Sequence, residues 1–190
     1  AIRAASLAKA DLVTLMIGEF PELQGIMGRE YALRLGEPAE VATAIHEHYL
    51  PKTATGELPE SIPGALVGLA DRLDSLVALF AVGEAPTSQA DPFALRRACI
   101  GVIRAVSHLG LRFSLSEMID VADGQLESVL AENKKAMRGE ELRKALLDFF
   151  RGRMKALWTE SFRTDVVEAV LSAGHDDIVS TLRRIEALSK

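Results

Sequence analysis

The sequence predicts an all-α protein, and three observations lead to that fold class. Hydrophobic residues make up 48% of the 190 residues but aromatic residues only 5%, so alanine, leucine, valine and isoleucine must build the core. Alanine and leucine are strong helix formers. No run of β-branched residues alternates with polar ones as a half-buried strand would. Glycines and prolines also divide the chain at intervals typical of helix lengths.

The first two helices are predicted from spacing and from their ends. Apolar residues recur at helical spacing over residues 2–17, and Gly18 ends that helix. A shorter helix covers residues 24–35 and stops at Gly36, because glycine is the usual residue just beyond a helix C-terminus. Both predictions rest on local pattern alone.

Prolines define the next elements. Pro38 suits a first helical turn, so a helix is predicted over residues 38–49, before Pro51. Residues 52–63 carry several prolines and glycines and predict an ordered loop. Residues 63–82 form a long, strongly apolar helix without a wide polar face, which is typical of a central position.

A turn is predicted over residues 87–91, followed by a helix over residues 91–108. Asp91 suits the N-cap of that helix, and Pro92 suits its first position.

The second half predicts four more helices. Ser114 begins one of them, and Glu117 three residues later completes a capping box. The last three helices are predicted over residues 140–160, 164–173 and 176–188. No internal repeat and no low-complexity tract interrupts this succession.

The overall charge of −5 conceals alternating blocks. Residues 1–91 hold 6 basic and 13 acidic residues, and residues 92–113 hold four arginines and no acid. Residues 114–133 hold five acids and no base, and residues 134–155 hold 8 basic and 3 acidic residues. A basic block can face phosphates, but it can also be an ordinary solvated helix face. The second reading is favoured for residues 134–155; for residues 92–113 both readings stay open.

The first basic block has a more specific geometry. Arg97, Gly101, Arg104 and His108 recur at helical spacing and therefore share one stripe of a helix. The planar guanidinium suits phosphate recognition, and the glycine would let a partner approach closely. Alternatively, the glycine permits close helix packing and the arginines pair with acids of the first half. With the adjacent Arg96, the two arginines and His108 are the candidate residues for contact with nucleic-acid phosphates.

No catalytic constellation is evident in the sequence. His46 and His48 lie two residues apart, so on a helix they point in different directions and do not suit one metal ion. The single cysteine, Cys99, lies in an apolar helix and is expected to be a core residue. A lone cysteine also supports no disulfide framework, which fits a reducing, cytoplasmic setting. We therefore expect no catalytic residue and no metal ligand, and the absence of a long apolar run predicts no membrane span.

One segment resembles the HD superfamily of phosphohydrolases. Residues 69–76 read L-A-D-R-L-D-S-L, and in that superfamily the corresponding aspartate is a metal ligand. The superfamily's earlier His-Asp pair corresponds here to Ala10 and Asp11, with alanine in place of the histidine. The resemblance implies a degenerate HD site, in which Asp11 and Asp71 survive as hydrogen-bonded residues or, next to Arg72, as an ion pair.

A more extensive resemblance is to the beta subunit of the heterotetrameric glycyl-tRNA synthetase. It rests on K-A-D-L-V-T at residues 9–14, G-E-F-P-E-L-Q-G-I-M-G at 18–28, E-H-Y-L-P at 47–51, A-D-R-L-D at 70–74, D-P-F-A-L-R-R at 91–97, F-F-R-G-R at 149–153 and D-V-V-E-A-V-L at 165–171. These segments keep the family's order and cover nearly the whole chain. Its beginning at Ala1 within a predicted helix further suggests a piece of a longer protein.

The resemblance implies an HD-like helical bundle over residues 1–110 and a helical extension over residues 111–190, leading toward an anticodon-binding domain. It further implies that the alpha subunit uses ATP and magnesium to activate glycine, while the beta subunit grips tRNA(Gly) in an α2β2 assembly. The expected partners are thus tRNA(Gly), the alpha subunit and a second beta subunit, with no cofactor in this segment. Two alternatives remain, an active HD phosphohydrolase and a purely structural helical module.

Overall fold

The computed structural model describes residues 1–87 and 89–190, and these contain helices but no β-strand. The α-helices, numbered here in chain order, are α1 Ile2–Leu7, α2 Leu15–Glu19, α3 Ile26–Arg34, α4 Ala39–Glu47, α5 Ile62–Ala81, α6 Leu95–Leu109, α7 Leu115–Gln125, α8 Gly139–Trp158, α9 Thr164–Ser172 and α10 Ile178–Leu188. Short 3₁₀ segments occupy Ala10–Val13 and Pro21–Leu23. The all-α prediction is confirmed.

The chain divides into two compact units, Ala1–Asp71 and Arg72–Lys190. This division by contacts falls within α5. The sequence analysis places its domain boundary near residue 110 by family resemblance, which is a different criterion, so that boundary stays a prediction.

Small side chains build the core of the first unit. Helix α4 packs against α1 and α3. The buried cluster consists of Ala4, Ala32, Ala42, Ala44, Ile45 and Val67, with Leu7, Ala8 and Val41 packed against it. Alanine at these contacts lets the helix axes approach closely, because interaxial distance depends on the side chains at the contact.

The predicted helix over residues 2–17 is wrong as a single element. The chain leaves α1 at Ala8, passes through Lys9 with a left-handed φ of 66°, and forms a 3₁₀ turn before α2 begins. This turn places Asp11 in the interior, where its Oδ2 accepts the Gly25 N–H at 2.7 Å. No glycine or proline marks the break, so the local pattern could not reveal it.

Glu47 organises the predicted loop over residues 52–63. Its buried carboxylate accepts the backbone N–H groups of Glu60 at 3.3 Å and Ser61 at 2.9 Å, and also the Ser61 hydroxyl. Ser61 in turn accepts the Gly64 N–H at 3.1 Å, which caps the first turn of α5. A Cβ at Gly64 would lie 2.6 Å from Glu47 Oε2, so glycine is required there.

The second unit is a bundle in which α8 is central. Helix α8 packs against α6, α7 and α9. It buries one residue per turn over five turns: Leu142, Leu146, Phe150, Met154 and Trp158. This spacing of four residues produces a single apolar face, which explains why α8 holds its neighbours while its other faces remain charged.

Ser114 caps α7 as predicted, and two aspartates make further contacts at helix ends of the second unit. Ser114 Oγ accepts the Glu117 N–H at 3.1 Å at the start of α7. Asp177 caps α10 by accepting the Ser180 N–H at 2.8 Å. Asp176 contacts α7 instead, since its Oδ1 accepts the Ser116 N–H at 2.8 Å.

Candidate nucleic-acid interface

Helix α6 carries the candidate interface, and Asp91 sets where it begins. The sequence prediction of Asp91 as N-cap with Pro92 at the first helical position is wrong in register, because α6 begins at Leu95 after Ala94 in a left-handed conformation. Asp91 nevertheless caps the helix from further away. Its two carboxylate oxygens accept the N–H groups of Leu95 at 2.8 Å and Arg96 at 3.1 Å.

The turn predicted over residues 87–91 includes Ser88, which lies outside the described residues. On either side of it, the Thr87 N–H donates to the Ala90 carbonyl at 3.0 Å, and the Ala90 N–H donates to Thr87 Oγ1 at 3.1 Å.

One face of α6 presents three of the four candidate residues. At 3.6 residues per turn, Arg97, Arg104 and His108 lie within roughly 40° of one another around the helix axis. Arg97 and His108 are exposed and Arg104 is half-buried. The face opposite packs into the unit through Leu95, Cys99, Val102, Ile103 and Val106. The predicted stripe is therefore a surface feature at its arginine and histidine positions.

Gly101 has a different role from its neighbours on the stripe. It is buried, so the space freed by its missing side chain faces protein. This favours the close-packing interpretation of that glycine over approach by an external partner.

The four candidate residues differ in the hydrogen bonds and ion pairs that their side chains form within the protein. Arg96 Nη2 donates to the Thr87 carbonyl, and Arg96 Nη1 lies 3.9 Å from Asp91 Oδ2. Arg104 and His108 also interact within the protein. Within residues 1–87 and 89–190, Arg97 has no hydrogen-bond or ion-pair partner through its side chain. Arg97 is thus the cation of α6 that the described protein leaves available.

Three of the eight bases in the second basic block have acid partners within the protein. Arg138 pairs with Asp123, Arg143 with Asp120 at 2.7 Å, and Lys155 with Glu168. Lys155 beside it holds the pKa of Glu168 below its ordinary value. This arrangement agrees with the interpretation of residues 134–155 as an ordinary charged face.

Asp11 and Asp71, the two aspartates that the HD resemblance singled out, have different surroundings. Asp11 is 2% exposed and accepts the Gly25 N–H. Asp71 is partly exposed and pairs with Lys9. Tyr49 contacts Asp11 and lies near both carboxylates; burial, followed by the Asp11 and Asp71 charges, raises its pKa to about 12, although a bond to Gln24 opposes the shift.

Two glycines of the G-E-F-P-E-L-Q-G-I-M-G segment allow close packing around the buried Asp11. A Cβ at Gly25 would lie 2.5 Å from a Tyr49 ring carbon, and one at Gly28 would lie 2.9 Å from Ile45 and 3.2 Å from Asp11. The segment is therefore fold-determining through close packing.

The residues that the structure describes contain no group of three or more His, Cys, Asp or Glu side chains arranged to hold a metal ion. Among them, too, no helix is long and apolar enough to cross a membrane. Cys99 is buried, and that burial raises the pKa of its thiol well above the ordinary value.

The first unit contains a cavity that was not predicted from the sequence. It has a volume of about 500 Å³, and Asp11, Thr14, Gly28, Tyr31, Ala32 and Ile45 are among the residues that line it. Only the resemblance drew attention to Asp11, and nothing in the local pattern indicated an adjoining cavity.

Comparison with known proteins gives one consistent result. Residues 1–172 match the family described as "Glycyl-tRNA synthetase beta subunit". The "Glycine--tRNA ligase beta subunit" of Myxococcus xanthus is 62% identical over 187 residues, which cover 98% of this chain and 27% of that protein. The proteins of the same name from Geotalea daltonii and Anaeromyxobacter sp. are each 50% identical over 188 residues, covering 99% of this chain and 27% and 26% of the relative. The chain thus spans about a quarter of the length of these relatives.

Proposed function

The chain belongs to the glycyl-tRNA synthetase beta subunit family, and from that premise we propose that it handles tRNA and helps to organise the subunits of a glycine–tRNA ligase. The observation that carries the proposal is the face of α6 on which Arg97 and His108 are exposed and Arg104 is half-buried. The described residues leave Arg97 without an internal counter-charge, so it can neutralise a phosphate without first breaking a contact.

The chemistry of this face suits an RNA backbone. The arginine fork donates two hydrogen bonds to a phosphate at once. RNA helices are engaged mainly through phosphates and 2′-hydroxyls, since their major groove is too narrow for side chains. The α6 face therefore contributes to affinity and positioning for tRNA(Gly) without reading its sequence.

The division of labour in the proposed enzyme follows the family. The alpha subunit activates glycine with ATP and magnesium, and this segment supplies no catalytic residue and holds no cofactor. The partners are the alpha subunit and a second beta subunit, in an α2β2 assembly in the cytoplasm. Asp11 and Asp71 are structural remnants of an HD site. They are held by the Gly25 N–H and by Lys9 respectively, contacts that support such a role.

For Arg96 a structural role is a second candidate. Its contacts with the Thr87 carbonyl and with Asp91 support the function of a brace between the preceding turn and the first turn of α6. In that case Arg96 positions the face without touching tRNA.

The test is tRNA(Gly) binding by the full-length beta subunit assembled with its alpha subunit, measured by fluorescence anisotropy across a salt series. Arg97→Glu and Arg104→Glu should each weaken binding about tenfold at low salt, and the loss should shrink as salt rises, because the contact is electrostatic. Arg183→Glu on α10 is the matched control, since it reverses one exposed arginine of the same unit.

Unchanged binding by both α6 variants would show that this face does not contact tRNA. An equal loss in Arg183→Glu would show that the effect follows net charge alone. Melting temperatures of all three proteins must match the parent, so that a folding defect in half-buried Arg104 is not read as a binding defect.

A further inference from the structure

Asp11 is a buried carboxylate without a counter-ion among the residues that the structure describes. It is 2% exposed, and the described residues form no ion pair with it. Buried charges in proteins are normally paired, because removing a charge from water is costly. The missing partner is therefore a feature that needs an explanation.

The carboxylate retains capacity to accept hydrogen bonds. Oδ2 accepts the Gly25 N–H at 2.7 Å, while Oδ1 lies 3.5 Å from the Tyr49 hydroxyl oxygen. A carboxylate has about four acceptor sites, and a contact at 3.5 Å is weak. Oδ1 can therefore accept a stronger bond from an incoming donor.

Asp11 lines the cavity of about 500 Å³, which lies within the size range of small-molecule sites. Its walls are mostly apolar and include Leu7, Ala32 and Ile45. The Tyr31 hydroxyl has no hydrogen-bond partner in the described part of the chain. The cavity thus combines apolar walls with the Tyr31 phenol and two carboxylates, Asp11 and the Arg3-paired Glu37.

The charges nearby favour a cation. Residues 1–71 contain five basic and ten acidic residues. Arg3 also lines the cavity, but its Nε lies 3.1 Å from both carboxylate oxygens of Glu37, so it is already neutralised. Lys9 is paired with Asp71. A net negative unit raises the local concentration of cations without supplying one to Asp11.

We propose that this cavity is a binding site for an organic cation, an ammonium or guanidinium group on a short apolar stem, with Asp11 as the residue that binds the charged head. The apolar walls take the stem, as the side-chain stems of lysine and arginine pack on apolar surface. A charge-assisted bond to a buried carboxylate is stronger than a neutral one. The same chemistry can come from a free small amine or from a lysine or arginine side chain of the proposed alpha-subunit partner.

The probes are butylguanidinium and butylammonium, with 1-butanol as the neutral analogue, and binding to the full-length beta subunit is followed by saturation-transfer NMR. Both cations should receive saturation from the protein at concentrations where butanol does not. Asp11→Asn should weaken cation binding about tenfold or more. The asparagine keeps a side-chain oxygen that can accept the Gly25 N–H.

Two further variants make the result specific. Ala10→Leu fills part of the cavity from an exposed position and should also weaken binding, which keeps the test valid if Asp11→Asn unfolds. Glu22→Gln removes an exposed acid from the same unit and should leave binding unchanged. Equal binding by butanol, undiminished binding by Asp11→Asn and Ala10→Leu, or no binding by the parent subunit would overturn the proposal.

Adding the alpha subunit distinguishes the two sources of the cation, a free small amine and a side chain of the alpha subunit. Displacement of butylguanidinium on assembly identifies a partner side chain as the occupant. Retained binding identifies a site for a free amine. Either result upholds the cation site, and neither depends on whether α6 contacts tRNA.

Discussion

Helices α6 and α8 are both basic, yet their charges have different surroundings. On α8, Arg143 pairs with an acid of α7 and Lys155 with an acid of α9. On α6, Arg97 has no such partner in the described protein. The comparison teaches that the number of cations on a helix does not identify a binding surface; what matters is whether the neighbouring helices supply acids.

The order of the charge blocks along the sequence explains why α8, unlike Arg97 of α6, has acids beside it. Residues 114–133 carry five acids, and residues 134–155 carry five more bases than acids. Helix α7 packs against α8, and two ion pairs join these blocks, Asp123 with Arg138 and Asp120 with Arg143. Residues 92–113 carry four arginines and no acid. The excess positive charge therefore remains on the segment that contains α6.

The largest expected effect is on the free energy of unfolding, at Asp123, the buried acid that pairs with Arg138 just before α8. Asp123 is 9% exposed; its carboxylate binds Arg138 and accepts the Gly139 N–H at 2.9 Å at the start of α8. Asp123→Ala leaves both donors unsatisfied and should lower the free energy of unfolding by about 2–3 kcal/mol. Urea unfolding of the full-length subunit measures this change.

Asp120→Ala is the control for that measurement. Asp120 pairs with Arg143 at the surface, where its side chain is 46% exposed, so its loss should cost no more than about 1 kcal/mol. Equal costs for the two substitutions would mean that burial does not distinguish these pairs.

The next effect concerns the salt dependence of tRNA binding. Arg97→Ala should reduce the slope of log affinity against log salt by about 1, because one phosphate contact is lost. Arg143→Ala should leave the slope unchanged, since Arg143 is paired with Asp120. Anisotropy titrations at several salt concentrations give both slopes. A slope reduced in Arg143→Ala but not in Arg97→Ala would mean that α8, rather than α6, contacts tRNA.

The smallest expected effect is on how stability depends on pH, and it concerns Asp176. Burial tends to raise the pKa of Asp176, but hydrogen bonds from Ser114 and Ser116 outweigh it, so the pKa is lower than in the unfolded chain. Asp176 therefore adds stability at neutral pH that is lost as pH falls through its folded pKa, below about pH 4. Asp176→Asn should show a shallower loss of stability in acid.

Chemical denaturation at a series of pH values between about 6 and 2 measures this acid loss. Arg97→Ala should follow the parent curve, because arginine keeps its charge throughout that range. An acid loss in Asp176→Asn as steep as the parent's would show that other carboxylates dominate.

The sequence alone predicted much of the second unit. Helix α8, the Ser114 cap and the start of α10 to within two residues follow from spacing and capping rules that act within a few residues. It also predicted that Arg97, Arg104 and His108 share a face of α6. It could not predict that Arg96 is tied to the turn before the helix, because that contact depends on how Asp91 caps from outside the expected position.

The sequence by itself determined the all-α class, the family and the order of the charge blocks, since helix propensity and periodicity are local properties of the chain. Only the tertiary structure decided that the chain breaks at Lys9, that Asp11 is buried beside a cavity, and that Asp120 of α7 pairs with Arg143 of α8. These outcomes depend on residues distant in sequence, such as Gly25 for Asp11. The energy of burying or pairing a charge depends on its surroundings, which local propensity does not specify.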